Sequence, residues 1–142
     1  MLKNFFRKQK KEDLNNNNIL VAALLIHAAK IDENYTEIEK KIIINTIIQL
    51  CNTNFDEAEK LLKLAEKKEE ESNQIVEFTR EVKKYSMKFR LKIIEIIWKI
   101  VYSDSTSDSY ESNLIRRICG LLYISDKDNG IIKMKVQNLL KK

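Results

Sequence analysis

The chain contains no proline and only two glycines in 142 residues. Sheets and loop-rich folds need these residues at their turns, whereas helices joined by short links do not. Apolar runs are also short: none reaches the ~18 residues of a membrane span, and the first residues lack the apolar segment of a signal peptide. We therefore expect a cytoplasmic, all-α protein in which about seven helices form a bundle.

Residues that carry metal, redox or nucleophilic chemistry are equally scarce. The two cysteines, Cys51 and Cys119, lie within apolar helical patterns, which favours reduced core thiols over a redox role. The single histidine, His27, lies in an apolar helix, where a satisfied histidine at the core or its boundary is favoured over a ligand. There is no glycine-rich phosphate loop and no recognisable pair of nucleophile and base, so the sequence predicts a protein that is not an enzyme.

Acidic and basic residues are mixed through most of the chain, and the net charge of +5 comes mainly from its two ends. A nucleic-acid-binding protein more often carries its basic residues as a stripe on one element, with aromatic residues between them. The charge pattern therefore predicts no nucleic-acid partner.

The first part of the chain is expected to differ from the rest. Residues 1–17 are predicted to form a basic, flexible tail, and residues 18–142 the helical domain. Aromatic and basic residues are neighbours within residues 1–11, which allows a weak peripheral contact with an anionic membrane surface. A frayed, solvated tail is the alternative and the favoured interpretation.

Polar residues mark the expected helix starts. Thr36-Glu-Ile-Glu39 reads as a capping box, in which the side chains of the first and fourth residues each accept a hydrogen bond from the other's amide. Further starts are expected at Asn54, Ser72 or Asn73, Ser86, Asp108 and Ser125. The charged run Lys67-Lys-Glu-Glu-Glu71 predicts a solvated helix face or helix end.

An internal repeat is the most informative feature of the sequence. At a constant offset of 72 positions, each half reads helix, aspartate, N-cap, glutamate and apolar helix. The corresponding residues are Asp32 with Asp104, Thr36 with Asp108, and Glu39 with Glu111. The repeat predicts two pseudo-equivalent halves that pack on each other.

Two interpretations of the aspartate turns remain open. Each aspartate can accept hydrogen bonds from backbone amides and so close its turn without glycine or proline; this structural role is favoured. Alternatively, the turns bind a divalent cation through several oxygens, although the Asp-x-Asp-x-Asp-Gly ladder of an EF-hand is missing. The candidate sets are Asp32, Glu33 and Glu39 in the first half, and Asp104, Asp108 and Glu111 in the second. The second set is the better metal candidate, because all three of its residues are carboxylates.

At these turns the chain resembles the TerB-like family, which has the fold of tellurite-resistance protein B. The family pattern is a small-residue helix ending in Ala-Asp-Gly, an acidic turn and a Glu-bearing helix, repeated before a Leu-Ile-Arg-Arg-like stretch. Here the two copies run from Ala28 to Glu39 and from Trp98 to Arg117. The glycine that usually follows each aspartate is Glu33 in the first copy and Ser105 in the second, so these turns depart from the pattern.

The resemblance implies an all-helical, non-enzymatic module linked to tellurite resistance and stress responses. Family members are thought to act through an acidic surface that binds a metal or a partner in a membrane-associated complex. Carried over to this chain, the acidic surface comprises Asp32, Glu33, Glu39, Asp104, Asp108 and Glu111. We therefore expect a cytoplasmic or membrane-peripheral interaction module with a protein partner; a divalent-cation-binding or sensing domain is the alternative, and the oligomeric state stays open.

Overall fold

The computed structural model describes residues 17–31, 35–104 and 109–140, and for residues 104 and 109–111 it describes the backbone alone. These residues form seven α-helices and one short 3-10 turn, with no strand among them. The prediction of an all-α fold is therefore confirmed. The helices are α1 (17–29), α2 (Glu37–Cys51), α3 (Phe55–Glu71), α4 (Val76–Lys83), α5 (Met87–Val101), α6 (Ser109–Leu121) and α7 (Asp126–Leu140); the 3-10 turn is Tyr102–Asp104.

Side-chain caps begin α2, α3, α5 and α7 where the sequence predicts them. Before α2, the Thr36 hydroxyl accepts from the Glu39 amide at 3.1 Å, and the Glu39 carboxylate accepts from the Thr36 amide at 2.8 Å. Asn54 and Ser86 cap α3 and α5 in the same manner, each accepting from the amide three residues on. Ser125 accepts from the Asp128 amide at the start of α7. The predicted cap Asp108 lies outside the described residues.

The start of α4 differs from the prediction, because neither Ser72 nor Asn73 caps it. Helix α3 continues to Glu71, so Ser72 follows its last turn as the C-cap, and the Ser72 hydroxyl donates to the Gln74 carbonyl. Ile75 occupies the N-cap position of α4 without a side-chain hydrogen bond. Ile75 is buried, so its apolar contact with the core holds this helix start in place of a polar cap.

The interior of the bundle is formed mainly by α1 and α5. Every residue of α1 from Val21 to Ile26 is fully buried, as expected for a helix that is apolar on all sides. The second half of α5, from Ile93 to Val101, is buried except at Lys99. Both helices contribute to one continuous apolar core.

The order of the helices follows the predicted repeat. Helices α1, α2 and α3 correspond to α5, α6 and α7, and the first residues of α2 and α6, Glu37 and Ser109, are 72 positions apart. The short helix α4 connects the two halves and packs on α6. Lys30 and Tyr102 are also 72 positions apart; Lys30 binds Glu69 of α3, and the Tyr102 hydroxyl accepts from Gln137 of α7. In both halves, the residue directly after the first helix therefore binds a side chain of the third helix.

The described helices do not meet the requirements of a membrane span. None of them combines the length and the apolar character that crossing a membrane would need.

Candidate functional site

Most of the acidic residues predicted to form a site lie at or beside segments outside the described residues. Asp32, Glu33 and Asp108 lie outside the described residues. The backbone of Asp104 lies in the 3-10 turn and that of Glu111 lies in α6, but the side chains of both are outside the description. The cation site of the second half therefore stays a prediction.

Glu39 is the one predicted site residue whose side chain is described, and it does not lie on an acidic surface. It is only 3% exposed, and its carboxylate accepts the hydrogen bond of the capping box. The amide of Thr36 thus occupies one carboxylate oxygen at the helix start, where the helix dipole also favours a negative charge. Elsewhere in the described part of the chain, no group of three or more His, Cys, Asp or Glu side chains is arranged to hold a metal ion.

The charged end of α3 includes a partly buried ion pair that sequence reasoning missed. Glu69 is only 12% exposed and accepts from Lys30 at 2.9 Å. The charged run does end its helix, as one of the two predicted alternatives has it, since α3 ends at Glu71, but Glu69 itself is not solvated. The other carboxylate oxygen of Glu69 lies 3.3 Å from His27 Nδ1. His27 is half-buried at the boundary of the core, and the cluster joins the end of α1 to α3.

Tyr35 lies directly before α2, between two lysines. The Nζ atoms of Lys40 and Lys30 lie 5.0 Å and 5.9 Å from the centre of its ring, which is the geometry of a cation–π contact. Its hydroxyl is buried and has no hydrogen-bond partner in the described structure. Burial, assisted by the nearby carboxylate of Glu66, raises the pKa of Tyr35 well above the ordinary value of a tyrosine. The hydroxyl therefore stays protonated and is unsuited to proton transfer.

A groove of about 610 Å³ lies between α5 and α7. Its apolar walls come from Phe89 and Leu91 of α5 and from Ile131 and Ile132 of α7. Lysine side chains lie along its rim: Lys88, Lys92 and Lys135. A hollow of about 560 Å³ adjoins it along α7; this hollow shares Ile131 and Lys135 with the groove and adds Met134, Asn138 and Leu139. We refer to the groove and the adjoining hollow together as the α5–α7 groove.

The α5–α7 groove is bordered by apolar side chains that point into solvent. Ile131, Met134 and Leu139 are each more than half exposed, whereas Val136 on the opposite side of α7 is fully buried. Spacings of three and eight residues place the three exposed side chains on one side of the helix. Helix α7 thus has one apolar side that packs on the bundle and another that remains exposed.

Glu95 is the acidic residue in the lining of the groove, and three lysines surround it. Its side chain is 7% exposed and lies 2.6 Å from Lys135, 2.7 Å from Lys92 and 3.7 Å from Lys99. Burial alone would raise the pKa of Glu95. However, the hydrogen bonds from Lys135 and Lys92 and the charge of the lysines outweigh burial and lower the pKa to about 2. Glu95 is therefore ionised at neutral pH, and it fixes two of the rim lysines over the groove.

A family model described as tellurite resistance protein TerB matches residues 18–134, which is most of the chain. The chain belongs to the TerB family. This membership confirms the predicted resemblance and identifies the chain, at the level of the family, as a tellurite-resistance-associated module. The curated proteins and the solved structures that were compared with the chain gave no match.

The TerB match extends over most of the α5–α7 groove, and Lys135, Asn138 and Leu139 lie just beyond it. The match includes every groove residue from Ser86 to Met134. Sequence reasoning about the TerB-like turns did not find this groove, since the apolar residues of the last helix resemble an ordinary core stripe. The sequence does contain one signal of this exposed side. Ile131 and Ile132 are adjacent, so the apolar stripe of the last helix is wider than a single buried face.

Proposed function

We propose that this TerB-family chain is a non-catalytic protein-interaction module of a tellurite-resistance and stress-response system, located in the cytoplasm or at the membrane periphery. The observation that carries the proposal is the exposed apolar side of α7 along the α5–α7 groove. Single exposed apolar residues are common on protein surfaces, but a contiguous group beside a groove is typical of a binding site.

The chemistry of the α5–α7 groove supports binding rather than catalysis. A general acid or base works best with a pKa near the pH of the reaction. Glu95 has a pKa of about 2, and ion pairs with Lys92 and Lys135 hold it in its charged form. The groove therefore offers apolar contacts and positive charge, both of which suit recognition of a partner.

The acidic turns predicted from the sequence belong to the same proposal as a second contact surface. Their support is the internal repeat and the TerB resemblance, which concern Asp32, Glu33, Asp104, Asp108 and Glu111. Glu39 is not part of this surface, because it is buried in the capping box. A partner that contacts both regions would meet an acidic surface at the turns and a basic, apolar surface at the groove.

Growth on tellurite tests the proposed function. Cells that lack the chain are complemented with the wild-type protein, with Ile131→Asp or with Leu64→Asp. Leu64 lies on α3 and, like Ile131, is just over half exposed, so the control introduces the same charge at a comparable site in the other half. We expect the wild type and Leu64→Asp to restore tolerance, and Ile131→Asp to fail at equal protein level.

Two results would count against this function. If loss of the chain left tellurite tolerance unchanged, the link to tellurite resistance would be removed for this protein. If Ile131→Asp restored growth as well as the wild type did, the α5–α7 groove would not be the interaction surface.

A further inference from the structure

We propose that the α5–α7 groove binds an amphipathic helix of a partner protein that carries glutamate and aspartate along its flanks. This inference rests on the proposed interaction function and specifies the chemistry of the partner. Shape, apolar surface and charge support it separately.

The shape of the α5–α7 groove suits a helix. The groove and its adjoining hollow share Ile131 and Lys135, so they form one trough that continues along α7 to Leu139. At 1.5 Å per residue, the distance from Ile131 to Leu139 is about 12 Å, or a little over two helical turns. A partner helix lying in this trough would present apolar side chains at positions i, i+3 or i+4, and i+7, which is the usual pattern of helix-in-groove recognition.

The apolar surface has both a recess and a border. Phe89, Leu91 and Ile132 are half-buried within the recess, whereas Ile131 and Met134 project beside it. Side chains of an entering helix can reach recessed residues of this kind, but a flat bilayer surface cannot follow them. The recess therefore favours a protein segment over a membrane.

The charge of the rim determines which helix fits. Lys88, Lys92 and Lys135 line the groove, and the lining includes one carboxylate, Glu95, which already binds the latter two lysines. The net charge of the lining is therefore positive, and a partner with acidic flanks is favoured by charge complementarity.

The same charge argues against two occupants from this chain. In a symmetric dimer formed through this groove, each copy would place its rim lysines against those of the other copy. The segment 1–11 of the chain contains five Lys and Arg residues and no acidic residue, so it too would meet like charges. A partner with acidic flanks removes both conflicts.

A displayed helix library tests the proposal without knowledge of the natural partner. Each member is about 15 residues long, the length of α5, with Leu, Ile or Met on one face and Glu, Lys or Gln allowed at every flanking position. Selection uses the full chain, and selected helices are then measured against it by fluorescence anisotropy. We expect Glu to be enriched over Lys at the flanks, and scrambled peptides of the same composition to lose binding.

Two groove variants locate the binding site. Ile131→Asp should weaken the selected helices at least about tenfold, and Lys88→Glu about threefold at low salt. Lys88 is chosen because it is not one of the three lysines around Glu95, so its reversal preserves those ion pairs. The controls are Leu64→Asp and Lys63→Glu on α3, where both residues are exposed; they should bind as the wild type does. Thermal unfolding by circular dichroism establishes that each variant is folded.

Several outcomes would overturn the proposal. These are a selection that yields no binding helix, equal enrichment of Lys and Glu, or binding that the groove variants leave unchanged. Tight binding of phosphatidylglycerol vesicles, with no binding of helices, would identify the occupant as a membrane. Self-association of the wild type that Ile131→Asp abolishes would identify it as a second copy.

The tellurite growth assay separates these failures from failure of the proposed function. If Ile131→Asp abolishes tolerance but the helix selection fails, the groove is an interaction surface whose partner has another chemistry. If tolerance never depends on the chain, the function itself is wrong, whatever binds the groove.

Discussion

The indole Nε1 of Trp98 on α5 donates a hydrogen bond to the side-chain oxygen of Asn129 on α7 at 2.9 Å. Trp98 is the only tryptophan of the chain and is fully buried. Its ring stacks on Tyr102, with Lys133 Nζ 5.2 Å from the ring centre. Because α5 and α7 form the two walls of the groove, this hydrogen bond fixes the walls relative to each other.

Asn129→Ala should lower the free energy of unfolding by about 1–3 kcal/mol, because it leaves a buried indole N–H without its partner. Urea denaturation followed by tryptophan fluorescence measures the change and reports directly on this residue. Asn138→Ala is the matched control on the same helix; Asn138 is exposed, so a change within about 0.5 kcal/mol is expected. Equal effects at the two positions would contradict a structural role for the hydrogen bond.

Glu95 should make stability depend on acid pH. Its pKa is lowered from 4.5 to about 2 in the folded protein, so its ion pairs stabilise the fold fully above pH 4.5, and this contribution is lost as the pH falls towards 2. After allowance for the solvent exposure of the lysines, the contribution is roughly 1–3 kcal/mol. The difference in unfolding free energy between wild type and Glu95→Gln, measured from pH 6 to pH 2, should shrink across this window. A difference that stays constant with pH would contradict the assignment.

The capping box before α2 should contribute measurably to stability. Thr36→Ala removes the acceptor for the Glu39 amide and should lower the free energy of unfolding by about 1 kcal/mol. Thr46→Ala serves as the control within the same helix, since the Thr46 hydroxyl donates only to the Ile42 carbonyl, which its helix already uses. Chemical denaturation should show little or no loss for Thr46→Ala, and a loss as large as that of Thr36→Ala would mean that the cap is not the cause.

The two cysteines should react with a thiol reagent at different rates. Burial, with a smaller effect of Asp126, raises the pKa of Cys119 to about 12. Burial also raises the pKa of half-buried Cys51, while a hydrogen bond from Asn18 opposes the rise. Since the thiolate is the reactive form, Ellman's reagent in native buffer should label Cys51 slowly and Cys119 only after unfolding. Fast labelling of Cys119 in the folded chain would contradict its buried position.

The cation site predicted at Asp104, Asp108 and Glu111 has its own check. If the turn binds a cation, which is the alternative to its favoured structural role, calorimetric titration with calcium, magnesium, manganese or zinc gives a heat of binding for the wild type that Asp108→Asn abolishes, because hard cations need several oxygen ligands. The absence of heat and of any change in melting temperature at millimolar metal would remove this site.

Features that depend on neighbouring residues could be predicted from the sequence. The caps at Thr36, Asn54 and Ser86 each join a side chain to an amide three residues away, so the local pattern determines them. The apolar character of α1 likewise predicts its burial on every side. The repeat was visible for the same reason, because it consists of such local signals in a fixed order.

Features that depend on distant residues could not be predicted in this way. The partners of Glu69 are His27 and Lys30, about 40 positions earlier, so the sequence around Glu69 reads as a solvated charged run. The exposed side of α7 is a similar case. Both of its sides carry apolar residues, and the sequence does not reveal which one the bundle covers. The α5–α7 groove follows from that choice, which only the packed structure determines.

The burial of residues 21–26 in α1 also affects how the protein is made. Residues 21–26 leave the ribosome before the other residues of the core, which includes α5, and α5 ends 75 residues later at Val101. At roughly 5–20 residues per second, this apolar helix waits about 4–15 s for its partner. During that interval its uncovered faces are a binding site for chaperones, so the yield of folded protein should depend on them more strongly than its modest size suggests.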